Sequence, residues 1–192
     1  MNINLLTHLA YDRMRVLVKG GMEVAAAKRM AEEEIFASFY IENIAENFED
    51  LNIFNKGEGD AALLAVSVLM QGNRAEAELS ELLANYANDV ESDGEWNDEK
   101  TKVAMADWAE GQSLSEGLTH IRENVEGWDF GDVPGFEKYV KRFWWYNYGL
   151  DLCTTERQGE VKKNQNGQSE NASAHYICDA KEWRRAMMLK LG

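Results

Sequence analysis

The sequence predicts a mainly α fold: a multi-helix bundle of about seven helices, closed at its C-terminal end by a small disulfide-bridged β-meander. Three observations carry that expectation. Apolar residues recur at helical spacing through about the first 150 positions, broken by short runs of Gly, Asp, Ser and Asn. The 192 residues hold a single proline, Pro134. Average usage would give about ten, so long helices and few rigid loops are favoured. The only two cysteines, Cys153 and Cys178, flank a polar insert in the one stretch whose pattern suits strands.

In chain order, a first helix over residues 3–19 carries Leu5, Leu6, Leu9, Met14, Val16, Leu17 and Val18 as a broad stripe, and Gly20-Gly21 stop it. A second, over 23–39, turns Val24, Ala27, Met30, Ala31, Ile35 and Phe39 inward. Residues 48–54 form a connector with apolar anchors. After Gly57-Glu58-Gly59, Asp60 is placed as the N-cap of a helix over 61–71, which is apolar nearly all round and so reads as the central one. Asn73 caps the next, with Glu76 in capping-box position and Leu79, Leu82, Leu83, Tyr86 and Val90 along one face. Beyond Ser92-Asp93-Gly94-Glu95, a helix over 97–110 carries Val103, Met105, Ala106 and Trp108. Ser113 caps a sixth helix bearing Leu118, Ile121 and Val125, and Pro134 suits the first turn of a seventh that reaches about Tyr148.

A meander follows from Gly159, and the Asn-, Gln-, Gly- and Ser-rich insert 164–174 reads as a mobile loop. The division is therefore a helical domain, 1–150, and a small β-meander appendage, 151–192, packed on the last helix. No period of 20–50 residues recurs, so a solenoid is not supported.

The formal charge is −14, from 34 acidic and 20 basic residues. Such a surface opposes nucleic acid, whose binding rests on Lys and Arg neutralising phosphates, and it disfavours anionic membranes. The longest apolar run, residues 61–70, falls far short of the roughly 20 needed to cross a bilayer, so no membrane insertion is expected within this segment. No basic and apolar leader opens the chain; export would rest on a signal already removed or upstream. The cysteines suit a disulfide that closes a loop of about 26 residues, worth about 3–4 kcal/mol in the chain-entropy account. A metal site competes poorly, because no histidine stands at ligand spacing.

Two constellations could carry chemistry. Asp89, Glu91, Asp93, Glu95 and Asn97 alternate along a turn with Gly94 at its sharp bend, the oxygen spacing of a calcium loop. Lys100 stands where that loop needs a bidentate Glu. The competing account is an acidic helix–helix turn, and calcium is the single cofactor candidate. The second constellation is Phe143-Trp144-Trp145-Tyr146 with Phe136, Tyr139 and Tyr148. Phe136, Tyr139, Val140 and Phe143 share a helix face, whereas Trp145 points nearly opposite. Either the meander covers that far side, with Trp183 or Tyr176 meeting Trp145, or Trp144, Trp145 and Trp183 form an exposed platform for sugar rings or a partner.

Trp128 beside acids is a further exposed candidate. His8, His120 and His175 lie in unrelated contexts, His120 on a partly buried helix, and no catalytic residue is assigned. Asn171-Ala172-Ser173 matches a glycosylation acceptor, a pattern frequent by chance.

The stretches Cys153, Gly159-Glu160-Val161-Lys162, Tyr176-Ile177-Cys178-Asp179 and Glu182-Trp183-Arg184-Arg185-Ala186 together resemble a short cysteine-flanked module in surface lipoproteins of cellulose-degrading gut bacteria. Asn2-Ile3-Asn4-Leu5-Leu6-Thr7, Gly59-Asp60-Ala61-Ala62-Leu63-Leu64-Ala65 and Asp93-Gly94-Glu95-Trp96 are similar to a helical domain of the same class. The resemblance implies export, an anchor upstream, a protein or polysaccharide partner at the cell surface, and no established activity. The sequence departs from the pattern in its long insert before His175 and in Ala180, where a turn glycine is usual. It leaves the oligomeric state open.

Overall fold

The computed structural model describes residues 3–186. Seven α-helices occupy the bundle: α1 Leu5–Lys19, α2 Val24–Ser38, α3 Glu58–Gln71, α4 Glu76–Val90, α5 Glu99–Leu114, α6 Gly117–Glu126 and α7 Glu137–Asn147. Three short antiparallel strands follow, β1 Val161–Lys163, β2 His175–Asp179 and β3 Glu182–Arg185, in the order β1-β2-β3. The Cys153–Cys178 disulfide joins the segment leaving the bundle to the central strand. The expected mainly α class with a disulfide-closed C-terminal meander is the observed one.

Helix starts show where local signals sufficed and where they did not. Asn4 caps α1 in a reciprocal box, its side chain accepting the Thr7 N–H at 3.1 Å while Thr7 Oγ1 accepts the Asn4 N–H at 2.9 Å. Asp60, in contrast, is not the N-cap of α3. The helix begins earlier, and Asp60 sits in its first turn, accepting the N–H groups of Gly57 (3.0 Å) and Asn52 (2.7 Å). Gly59 permits this, because a Cβ there would lie 2.6 Å from Leu51 Cδ2. The connector therefore packs directly on the helix start, through glycines that looked like breakers.

The boundary of α4 is likewise displaced. Asn73 does not cap it; Ala75 is the N-cap, and Glu78 accepts its N–H at 2.8 Å. The preceding residues instead finish α3, with Arg74 donating to the carbonyls of Leu69 (3.2 Å) and Met70 (2.9 Å). Ser113 lies inside α5 rather than capping α6, and Pro134 precedes α7. The start of α7 is organised by Arg122 of α6, whose guanidinium makes a two-pronged bond to Glu137 and also donates to the carbonyls of Val133 and Pro134.

As expected, α3 is the buried axis, with Ala61 to Val66, Leu69 and Met70 all enclosed. It touches α1, α4, α5 and α7. Around it, Phe39 packs against Tyr86, Trp96 and Phe143, tying α4, the α4–α5 turn and α7 into one core. The sheet closes the open side of α7. Its β2–β3 turn places Ala180 (φ +49°) and Lys181 (φ +65°) in the left-handed region, a two-residue turn of the kind that favours Asn-Gly.

Candidate functional site

The sheet is bound to the bundle along one row of α5. Asp107, Glu110 and Ser113 are spaced three apart and face α7 and the tail. Asp107 accepts the Tyr148 hydroxyl (2.6 Å), the Ser169 hydroxyl (2.5 Å) and the Glu170 N–H (2.9 Å). Glu110, only 4% exposed, accepts the Tyr176 hydroxyl (2.9 Å), Arg185 Nε (3.1 Å) and Asn171 Nδ2 (3.4 Å). Ser113 accepts the Trp144 indole N–H at 3.1 Å and donates to Ala109 O. Burial first, then the neighbouring carboxylate, pushes the Tyr148 and Tyr176 hydroxyls above the ordinary tyrosine range.

This row corrects the reading of the insert as a mobile loop. Asn164 and Ser169 are buried and bonded to each other, and residues 164–174 are clamped to α5. Asn171 is engaged as well, donating to Glu110 and accepting from Arg185. The glycosylation pattern there falls on an amide already in use.

The aromatic helix resolves in favour of coverage. Trp144, Trp145 and Trp183 are 1%, 7% and 1% exposed, so the alternative of an exposed platform formed by them is not the one observed. The reason is the sheet, which brings Trp183 and Tyr176 over α7. Trp183 donates its N–H to Asp151 O at 2.9 Å and lies under the Arg157 guanidinium. The ring contacts differ in detail from expectation: Tyr176 meets Trp144 (5.3 Å) and Tyr148 (5.8 Å). Trp145 meets Trp144, and its buried indole N–H has no partner among the described residues.

A cleft of about 290 Å³ remains between β3, the end of α5 and α7. All four residues of β3 line it, opposite Ser113, Leu114, Lys141, Trp144 and Trp145. The Lys141–Glu182 ion pair separates it from a second cleft of about 430 Å³ bordered by Lys138, Arg142 and Lys181.

The acidic turn is not arranged as a calcium loop. Asp89 accepts the N–H groups of Asn97 (2.6 Å) and Asp98 (3.1 Å), and Asp93 accepts that of Glu95 (3.0 Å). Asp89, Glu91, Asp93, Glu95 and Asn97 do not converge, and among the described residues no three His, Cys, Asp or Glu side chains are grouped to hold a metal ion. The cation that does hold this turn is a guanidinium. Arg13, 7% exposed, makes a fork to Glu34 (2.7 and 2.9 Å) and donates to Ser92 O at 2.7 Å. Its bond to Glu34 raises the Arg13 pKa further. Gly94, at φ +81°, packs on that same carboxylate, and a Cβ there would lie 2.3 Å from Glu34 Cδ.

The remaining candidates stay apart. His8 borders an apolar groove with Tyr11 and Phe48, His120 is exposed on the outer side of a helix that buries Leu118 and Val125, and the half-buried His175 lies in β2. Trp128 (55% exposed) and Phe130 (75%) stand edge-on to Phe54, at 6.3 and 5.5 Å. Asp107, Glu110, Arg13 and Glu34 were not singled out from the sequence. One signal could have found the first two, since with Val103, Ala106 and Ser113 they complete a helical stripe that contains acids.

No protein-family model matches the chain, and no curated protein or solved structure is significantly similar to it.

The disulfide points to an oxidising, extracytoplasmic environment. Among the described residues no helix is long and apolar enough to cross a membrane.

Proposed function

We propose that this chain is a non-catalytic, extracytoplasmic binding or structural module of a surface lipoprotein, with the α5–α7–sheet face as its working surface. The observation that carries the reading is the stapled tail: the Cys153–Cys178 bridge fixes a sheet whose other contacts are themselves structural. The buried carboxylate of Glu110 accepts three hydrogen bonds and Asp107 another three, all from groups that dock the tail. Carboxylates so committed position a surface rather than exchange protons with a substrate.

Protease shaving of intact producing cells tests the location. Loss of the full-length protein from unlysed cells is expected, and protection until lysis would refute the reading. Alkylation under denaturing, non-reducing conditions should find no free thiol, and two titratable thiols would count against it.

A second reading, a sugar-binding or carbohydrate-active module, is favoured by one observation. Exposed Trp128 and Phe130 form an aromatic corner against half-buried Phe54, locked where Gly131 leaves room for Phe54 O (a Cβ there would lie 2.9 Å from it). Affinity electrophoresis in gels containing a soluble cellulose derivative tests it. Retardation lost in Trp128→Ala would support sugar binding, and equal mobility with and without polysaccharide would remove it.

A further inference from the structure

The connection between β1 and β2 is longer than a hairpin needs. A loop of about two to five residues would join the strands, yet residues 164–174 are carried across to α5. They are ordered there by Ser169, which bonds Asn164 and Asp107, and by the Glu170 N–H, which Asp107 accepts. A cleft of about 460 Å³ lies between this insert and α5, bordered also by Asn73 in the turn after α3. That volume falls in the range of small-molecule pockets.

Half-buried Trp108 gives the cleft an aromatic wall. Gly72, where a Cβ would lie 3.8 Å from Trp108 Cδ2, sets Asn73 beside the ring. On the insert, Gln168 and Glu170 commit only their main-chain N–H groups to the fold, to Asn166 Oδ1 (3.1 Å) and Asp107 Oδ2 (2.9 Å). Their side chains, like that of Asn73, are exposed and make no hydrogen bond or ion pair among the described residues. Asp107 accepts two bonds on Oδ1 and one on Oδ2, which leaves Oδ2 able to accept another. The backbone of this wall is thus fixed before a ligand arrives, while its polar ends are free.

These groups select among ligands. One ammonium, Lys100, faces the carboxylates of Asp107 and Glu170 across the cleft lining, so an anion meets net repulsion. An apolar ligand would strip water from amides and carboxylates without replacing its hydrogen bonds. A sugar satisfies all of them: its hydroxyls donate to carboxylates and both donate to and accept from amides, and its C–H face suits an indole. We infer that the α5–insert cleft binds a neutral saccharide, one ring against Trp108 and its hydroxyls on Asp107, Gln168, Glu170 and Asn73. This rests on the reading of the chain as a binding module, names its ligand class, and places the sugar on α5 rather than on the exposed Trp128 corner.

The test titrates the full ¹⁵N-labelled chain with cellohexaose, xylohexaose, mannohexaose, laminarihexaose and maltohexaose, each up to about 10 mM, and reads amide and indole NMR shifts. At least one sugar should saturate with a Kd on the order of 1 mM, as suits an open cleft. It should move the Trp108 indole and the main-chain N–H signals of Gln168 and Glu170, and salt should not weaken it. Gln168→Ala and Glu170→Ala, at exposed positions, should each weaken binding by about three- to tenfold with an unchanged melting curve. Trp128→Ala should leave the affinity unchanged.

Failure of every one of these sugars to saturate overturns the inference, as does full affinity in both Gln168→Ala and Glu170→Ala. Binding lost in Trp128→Ala but kept in Glu170→Ala would move the sugar to the exposed corner and remove it from α5. A hexapeptide of alternating Lys and Gly that binds more tightly than any sugar, and is weakened by salt and by Glu170→Ala, would make the cleft a site for basic peptide instead. None of these failures touches cell-surface location, which shaving and thiol titration decide separately.

Discussion

Glu110→Ala removes the acceptor at the centre of the tail's anchorage. The Tyr176 hydroxyl, in a residue that is 0% exposed, then loses its acceptor away from the solvent surface, at about 1–3 kcal/mol. The truncated methylene adds about 0.8 kcal/mol. Arg185 contributes little, because its side chain is 51% exposed and water replaces the carboxylate. A loss of about 3 kcal/mol is expected, read as a lower urea midpoint at unchanged slope.

The mechanism is isolated by a second change. Tyr176→Phe alone should cost about 1–2 kcal/mol, but in the Glu110→Ala background it removes an orphaned hydroxyl and should cost nothing or stabilise. The double-mutant cycle should therefore show a coupling of about 1–2 kcal/mol. Effects that add within about 0.5 kcal/mol would refute the reasoning, because the two groups would then not be energetically joined.

Arg13→Ala should destabilise by about 3–4 kcal/mol, since it leaves Glu34 and the Ser92 carbonyl without their partner, and Arg13→Lys should recover little because an ammonium lacks the fork; full rescue by Lys in urea melts would contradict this. Replacing both cysteines by Ser should cost about 3.5 kcal/mol by loop entropy for a separation of 25 residues, measurable by the same melts, and no change would mean the sheet holds without its staple. Ala180→Asn with Lys181→Gly should raise stability by about 1 kcal/mol by relieving two left-handed positions, and a lower melting temperature would disprove the strain.

Tyr40, Tyr86, Tyr139, Tyr148 and Tyr176 are all raised, burial being the first cause in each. Their contribution to stability is complete below about pH 10, the unfolded tyrosine value, and is lost as pH rises through the folded values. Phenolate absorbance from these five should appear together with loss of helical circular dichroism. Titration of these five near pH 10 with the helices intact would overturn it.

The sequence by itself determined what local chemistry can determine. Helical periodicity gave seven helices, the all-apolar stretch after Asp60 identified α3 as the axis, and two cysteines around the only strand-like pattern marked the stapled meander. The boundaries that it misplaced, at Asp60, Asn73, Ser113 and Pro134, share a cause. Each of those residues, or its neighbour, is engaged by a partner distant in sequence or by the preceding helix: Asn52 for Asp60, the end of α3 for Arg74 next to Asn73, Trp144 for Ser113, and Arg122 for Pro134.

Only the tertiary structure decided which side of the aromatic helix is covered and what the acids do. Trp145 lies on the opposite helix face from Phe136, Tyr139, Val140 and Phe143, and whether it meets water or protein depends on where β2 and β3, some 30 to 40 residues later, are held. That placement is set by Asp107 and Glu110, ordinary acids in a chain with 34 of them until Tyr148, Tyr176, Ser169 and Asn171 converge on them. The turn at Asp93 is the same lesson with the sign reversed. Its oxygen spacing looked made for a metal ion, yet the charge that stabilises it arrives from Arg13, on a helix some 80 residues earlier. Hydrogen bonds and ion pairs of long sequence separation leave no period in the sequence, whereas burial along a helix or strand does.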